Sequence, residues 1–384
     1  MANTNLANAK IAKNDEFYTQ YPDIQKEINA YLEYDPNVFR GKTVLLPCDD
    51  PEWSNFTKFF AQNFELLGLK KLISTSYAPE SKKYKMPYQP TLFETVQPYY
   101  DVDKSKTNGK IFVLERDITA DHRININDLE WQYLEGDGDF RSKEIRKLRD
   151  EADIIVTNPP FSLFREFVAW LTEAEKKFII IGNMNAVTYK EIFPLIKENL
   201  IWLGNGFNAG NAFFKFNGDC TGFAEGVYDE ETGLVKFRNC CWLTNLDHGR
   251  HHEPLQLMTM SENFKHSKHK DIRERKSYLH YENYDAIEIP YTDAIPSDYD
   301  GIMGVPTSFL GKYCPEQFEI LGMCENLDLY SLKTKVYSSN ECKEAYYRKF
   351  GKQGIYDLNA SGVILVNGQL EKVYQRILIR KKQS

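Results

Sequence analysis

Short aliphatic runs recur along the chain up to about residue 248, and they constrain the fold more than any other feature. "TVLL" at 43–46, "KKLISTSY" at 70–77, "DIIV" at 153–156 and "KKFIIIGN" at 176–183 are each bounded by polar or turn-forming residues. Runs of that length and composition suit strands buried on both faces. Between them the apolar spacing is helical. "SLFREFVAWLTEA" places Leu163, Phe164, Phe167, Val168 and Leu171 on one side. Phe56–Leu67 reads as a helix closed by Gly68, and Ile24, Ile28, Tyr31 and Leu32 follow a helix start at Pro22-Asp23. "TYKEIFPLIKENL" and "IWLGNGF" continue the pattern as helix and strand. Such alternation predicts an α/β fold with a parallel, doubly wound, Rossmann-like sheet. Asn108-Gly109 predicts a hairpin turn, and "NAFFKF" with "VKFRNCCWLTNL" a terminal antiparallel pair.

After about residue 248 the chain becomes irregular and rich in Tyr, His and turn residues, which predicts a separate module over 249–384. The net charge of −7 argues against a uniformly basic nucleic-acid binder, so any such contact needs a local patch. The seven cysteines include no C-x-x-C pair and point to a reducing, cytoplasmic setting. No apolar run approaches the ~18 residues of a membrane span, and the opening "MANTNLANAKIAKNDEF" has no apolar stretch of the kind a secretion signal carries.

The strand 153–156 runs straight into Asn158-Pro159-Pro160-Phe161. Each proline fixes φ near −65° and removes a donor, and Asn158 is pushed toward an extended conformation by the proline after it. The corner therefore presents acceptors, the Asn158 side chain and the Pro159 carbonyl, beside the ring of Phe161, at a strand's carboxyl end where open α/β sheets bind ligands. It holds no titratable group. That suits a weakly basic planar amine: two acceptors can bind its two N–H groups and favour a pyramidal nitrogen able to attack, while the ring stacks on the base. A base in a duplex must first be extruded.

Asp153–Phe161 resembles the (D/N/S)PP(Y/F/W) motif of amino-methyltransferases. Further stretches resemble the EcoRI-type family of adenine-specific DNA methyltransferases: "DEFYTQYPDIQKEI", "LPCDDPEWSNF", "GDGDF", "CWLTNLDH", "GVPTSFLGKYCPEQFEILG" and the closing "YQRILIRKK", in that order along the chain. The resemblance implies transfer of a methyl group from S-adenosyl-L-methionine to N6 of a flipped-out adenine in double-stranded DNA, in a restriction-modification or orphan role. It implies a flexible lead over 1–14, a cofactor-binding catalytic domain over 15–248 and a target-recognition region over 249–384. Asn158, Pro159, Pro160 and Phe161 match the catalytic motif. Phe17, Tyr18 and Thr19 resemble the segment against the cofactor's methionine part. Asp139 and Phe140 resemble the loop whose carboxylate accepts from the cofactor's adenine amino group while the ring covers the base. Pro47, Cys48, Asp49 and Asp50 stand where the wider class has a glycine-rich turn, but this loop has no glycine. Likewise Ser74, Thr75 and Ser76 stand where a ribose-binding carboxylate often ends the second strand.

The densest basic stretch, "KHSKHKDIRERK", offers Lys265, Lys268, Lys270, Arg273 and Arg275 as phosphate contacts, which would give affinity that falls with salt. His248, Arg250, His251 and His252 are further candidates; they lack a regular ligand spacing, and no metal is expected. Lys372, Arg376, Arg380, Lys381 and Lys382 form a basic end. A cognate endonuclease acting on the same site without stable association is a possible partner. Two other readings stay open: a methyltransferase acting on an RNA adenine or a protein glutamine, and a non-catalytic DNA-binding protein with a degenerate cofactor site.

Overall fold

The apolar runs become strands, yet not all of them run parallel. A computed structural model describes residues 18–49, 54–78, 95, 100–124, 126–207, 211–215 and 226–382. Phe17 and Asp50 lie outside the described residues. The chain divides into two compact units, Met1–Phe193 with Ile201–Gly249 and Pro194–Leu200 with Arg250–Ser384.

In the first unit, strand β1 (Tyr18–Thr19) leads into helix α1 (Tyr21–Tyr34), whose Pro22 sits in the first turn, where a missing N–H leaves no bond unmade. Strand β2 (Thr43–Leu46), helix α2 (Asn55–Gln62) and strand β3 (Lys71–Thr75) follow, with Ser54 capping α2 by accepting from the Phe56 amide. Next come β4 (Lys110–Leu114), β5 (Glu130–Tyr133), α3 (Lys143–Glu151), β6 (Ile154–Thr157), α4 (Phe164–Thr172) and β7 (Lys177–Asn183). Short strands β8 (Trp202–Leu203), β9 (Ala212–Lys215), β10 (Tyr228–Asp229), β11 (Leu234–Phe237) and β12 (Cys240–Thr244) complete it.

The main sheet has eight strands in the order β5-β4-β3-β2-β6-β7-β12-β8. Its centre, β3-β2-β6-β7, is parallel, while β4 on one side and β12 on the other run against it, pairing antiparallel in turn with the outer strands β5 and β8 respectively. The expected parallel sheet is thus the centre of a mixed one. Parallel neighbours need a crossover connection, whereas antiparallel ones do not. Strand order turns around between β2 and β6, so the crevice at their carboxyl ends is the switch point of the sheet.

Two local expectations change. Asn108-Gly109 is not a hairpin turn; it joins the short helix Lys104–Thr107 to β4, which pairs with β3 and β5. Gly109 is required instead by close approach, since a Cβ there would lie 2.6 Å from the Ser76 carbonyl oxygen and 2.9 Å from that of Asp137. "VKFRNCCWLTNL" is two strands in two sheets: β11 pairs with β9 in a four-stranded sheet ordered β1-β9-β11-β10, and β12 joins the main sheet. Asn239, with φ 60°, makes the turn between them in a conformation that asparagine tolerates well.

The second unit contains α5 (Met260–His266), α6 (Lys270–Arg275), β13 (Ala286–Glu288), β14 (Ile302–Pro306), β15 (Phe318–Met323) and α7 (Ser339–Phe350). The hairpin β16 (Val363–Val366) and β17 (Gln369–Lys372) and the last strand β18 (Arg376–Lys381) follow. Its sheet runs β13-β14-β18-β15, so the basic end of the chain is an interior strand. Among the described residues no helix is long and apolar enough to cross a membrane.

Candidate active site

β6 is buried along its whole length and delivers Asn158 to the switch point. Asn158 is half-buried and Pro159 buried. Pro160 adopts φ −60° and ψ 120°, and its carbonyl accepts from the Leu163 amide at 3.0 Å, which starts the turn Phe161–Leu163 and then α4. The acceptor pair expected of the corner, Asn158 Oδ1 and the Pro159 carbonyl, lies just before that turn. Phe161 is half-buried, its ring centroid 5.8 Å from that of Phe237 at an interplanar angle of 44°. Both rings line an open recess with Asn183, Tyr189 and Cys240. Burial pushes the Cys240 thiol up to about 12, so it is a neutral wall group and not a nucleophile.

Where the glycine-free loop leaves β2, Asp49 is 5% exposed and richly bonded. Its Oδ1 accepts from Ser54 Oγ at 2.7 Å and its Oδ2 from Thr157 Oγ1 at 2.5 Å. The Asp49 carbonyl accepts from Thr57 Oγ1 at 3.3 Å and from Ser74 Oγ, while its amide donates to the Thr75 carbonyl at 3.1 Å. Thr75 Oγ1 holds the Pro47 carbonyl at 3.0 Å. Ser74 and Thr75, candidates for a ribose contact, are fully buried and spend their hydroxyls on this loop. Cys48 is half-buried beside them.

Asp139 and Phe140 follow Gly138, whose φ of +85° and tight approach to Ser76 both call for glycine. The Asp139 carboxylate is held by Arg141, with Nη2 to Oδ2 at 2.6 Å and Nε to Oδ1 at 2.9 Å, and Arg141 in turn reaches Glu166 at 3.1 Å. Hydrogen bonding to the Arg141 guanidinium holds the Asp139 carboxyl below the usual carboxylate range. Tyr77, in the facing loop, is raised to about 12 by burial and then by the neighbouring Asp137 charge. Phe140 is 4% exposed and packs edge-on against Phe167 and Trp170, centroids 5.0 and 5.7 Å away. It is a core ring of α4's inner face, not a cover lying open for a ligand.

β1 carries Tyr18 and Thr19 beside this region: the Thr19 carbonyl accepts from Asn55 Nδ2 at 2.7 Å, at the start of α2. Thr19 Oγ1 is buried and has no hydrogen-bond partner among the described residues. A buried hydroxyl in that state costs free energy unless a ligand completes it.

The basic candidates scatter. In the first unit, His248 is 2% exposed, its Nε2 donating to the Leu203 carbonyl at 3.0 Å, with the Tyr31 ring edge-on at 5.5 Å. In the second, His251 is 4% exposed and bonds Asn199 Oδ1 at 3.1 Å, while His252 meets Glu316 at 2.9 Å and Arg250 is half-buried. Lys265, Lys270 and Arg275 are exposed on α5 and α6; Lys268, also exposed, reaches Asp293 at 2.7 Å. Arg273 is turned inward onto the Ser267 carbonyl. In the closing strand, Arg376 is buried against Glu288 at 2.6 Å and Arg380 meets Glu319 at 2.9 Å. Sequence reading missed Thr157, Ser54, Phe237, Asn183 and Tyr189. Only Thr157, adjacent to the Asn-Pro-Pro-Phe corner, carried a local signal.

Comparisons with known proteins converge. Residues 5–382 match the family model described as adenine-specific methyltransferase EcoRI. The chain is 41% identical to the Type II methyltransferase M.EcoRI of Escherichia coli over 84% of its own length and 90% of the relative's. It is 35% identical to the Type II methyltransferase M.MpnI of Mycoplasma pneumoniae over 86% and 89% of the two chains. A third Type II methyltransferase, from Mycoplasma genitalium, is 30% identical over 98% of each. No solved structure gives a significant match.

Proposed function

Because this chain belongs to the family of EcoRI-type adenine-specific methyltransferases, we propose that it methylates N6 of an adenine extruded from double-stranded DNA, with S-adenosyl-L-methionine as donor. The observation that carries the reading is the Asn-Pro-Pro-Phe corner at the carboxyl end of β6, at the switch point of the sheet, beside a recess walled by Phe161 and Phe237. The catalytic region is a Rossmann-like methyltransferase sheet with antiparallel edges, and the second unit supplies target recognition.

The donor supplies an electrophilic methyl group. The residues present fit it: Thr19 Oγ1 is a buried hydroxyl with no partner among the described residues, suited to a carboxylate, and the Asp139 carboxylate stays ionised to accept from an amino group. Tyr18 would stand beside Thr19 at the same end. Phe140, buried against α4, would shape the loop without covering the donor's base. Asn158 Oδ1 and the Pro159 carbonyl accept from the two N–H groups of the adenine N6. That draws electron density toward the nitrogen and lets it pyramidalise as it attacks. Phe161 stacks on the base and holds its plane, and the apolar walls of the recess exclude water. The proton leaves after transfer, once the substituted nitrogen has become acidic, so no strong base is needed. Lys265, Lys268, Lys270 and Arg275 contact phosphates, whereas His248, His251 and Arg273, occupied inside the protein, leave the set of direct contacts. The setting is the cytoplasm, with a cognate endonuclease reading the same site.

Transfer of labelled methyl groups to duplex DNA, followed by long-read mapping of the modified base, tests the proposal. N6-methyladenine at one recurrent sequence is expected. Label appearing on RNA or protein but not on DNA would refute it.

A further inference from the structure

The first-strand loop resembles a cofactor loop, yet both carboxylate oxygens of Asp49 accept from hydroxyls of the protein itself. Asp49 directs one carboxylate oxygen to Ser54 Oγ at 2.7 Å and the other to Thr157 Oγ1 at 2.5 Å. Both donors are buried, 1% and 0% exposed. Thr157 is the last residue of β6 and the one before Asn158. Its backbone is held on one side by pairing with Ile180 of β7, while the register between β2 and β6 stops at Leu45 and Ile155. Beyond that point, toward β2, the Asp49–Thr157 bond takes over from the ladder where it has run out.

We infer that Asp49 is a positioning residue for the transfer corner and not a ligand of the donor: through Thr157 it fixes the strand end from which Asn158 projects. This goes beyond the functional proposal but rests on its reading of residues 158–161 as the transfer corner. The chemistry favours such a role. A carboxylate accepting short bonds from two buried hydroxyls is strongly directional, and its own backbone is locked by Thr57, Ser74 and Thr75. Glycine in a methyltransferase loop lets the backbone approach a ligand. Here short hydroxyl side chains surround one carboxylate at the start of the loop, and the same network reaches the neighbouring strand. A misplacement of the reacting groups by about 1 Å costs on the order of 100-fold in rate, so a strand end tethered to ~0.5 Å is worth building.

The experiment compares Thr157→Val, Thr157→Ser, Asp49→Asn and the double variant Asp49→Asn/Thr157→Val. It reads single-turnover methyl transfer at saturating donor, calorimetric donor binding and thermal unfolding. Thr157→Val removes the hydroxyl at nearly constant shape; its transfer rate is expected to fall about 10- to 100-fold while the donor's dissociation constant stays within about threefold. Thr157→Ser restores the rate, and the double variant loses no more than the worse single one, because both act through one bond. If Thr157→Val does not fold, Asp49→Asn decides alone by the same two readings. A raised dissociation constant with an unchanged saturated rate overturns the inference and returns Asp49 to the donor site; wild-type values of both overturn it as well. If the unsubstituted chain transfers no methyl group to DNA, the functional reading falls and this inference with it; if it does and the variants keep its rate, only the inference falls.

Discussion

Asp49 and Glu288 are buried to the same degree, 5% and 4% exposed, and their described partners differ in kind. In the first unit Asp49 is held by neutral hydroxyls, Ser54 and Thr157, at the end of the parallel strands. In the second Glu288 is held by a full counter-charge: Arg376 binds it through Nη2 at 2.6 Å and Nε at 3.0 Å, and the Tyr281 hydroxyl adds a further bond. Burying an ion is expensive, and either donor set offsets that cost. They differ in what else they do. A guanidinium forks across two oxygens and staples β18 to β13, a tie between strands that are not neighbours in their sheet. Hydroxyls are short and aim one atom at a time, which suits a loop whose neighbour must be held in one place. The contrast teaches that a buried carboxylate can serve strength in one region and aim in another.

The largest effect should come from the group the first arrangement aims. Asn158→Ala is expected to lower single-turnover methyl transfer by about 100- to 1,000-fold, the scale of removing one preorganised polar group at a reacting centre, while calorimetric donor binding survives. Loss of donor binding, or full activity, would break the assignment of aim to this region. Arg376→Ala should come next and should act on strength alone. Removing one partner of a buried ion pair costs about 3–5 kcal/mol, read as a lower denaturation midpoint of the second unit. Replacing the pair together, Glu288→Leu with Arg376→Met, should recover most of that loss. If the double apolar variant is as unstable as the single one, the charge pair is doing more than stapling strands. Phe161→Ala should be milder, about tenfold in transfer, because stacking contributes roughly 1–3 kcal/mol per base. Fluorescence of 2-aminopurine at the target position checks it, and an unchanged extrusion signal would count against stacking there.

The two regions also differ in how far their sequences could be read. The central strands of the first unit announce themselves as apolar runs, and the family resemblance of Asn158–Phe161 is explicit in four consecutive residues. What stayed hidden is long-range. Nothing near Asp49 says that its partner lies 108 residues later at Thr157, and an acid in a family-like cofactor loop is naturally read as a ligand. Phe140 misleads for the same reason: an aromatic after a glycine turn looks available until α4 packs Phe167 and Trp170 around it. The antiparallel pairing of β9 with β11 was expected, whereas the reversal of β4 and β12 in the main sheet was not, because period and composition fix that a run is a strand but not its direction. In the second unit the hairpin turn Val366-Asn367-Gly368-Gln369, with φ of 51° at Asn367 and 76° at Gly368, went unread although its Asn-Gly pair carries the signal. Its basic end was illegible, since charge in a sequence does not distinguish Arg376, sealed against Glu288, from a side chain facing solvent.

The smallest effect concerns charge that neither region buries. Lys265 and Arg275 are exposed on α5 and α6, and an exposed cation contributes little to stability. The use we propose for it is contact with something outside the chain. If that is the phosphate backbone, Lys265→Ala and Arg275→Ala should each weaken duplex binding a few-fold at moderate salt, equally for target and non-target sequences. Each should also reduce the slope of log affinity against log salt by about 1. Unfolding should be unchanged, unlike Arg376→Ala, and so should single-turnover transfer from the preformed complex, unlike Asn158→Ala. Fluorescence anisotropy across a salt series supplies the slope. A slope unmoved by both substitutions removes this face from the DNA interface, and a loss confined to the target sequence would make these side chains base readers instead of phosphate clamps.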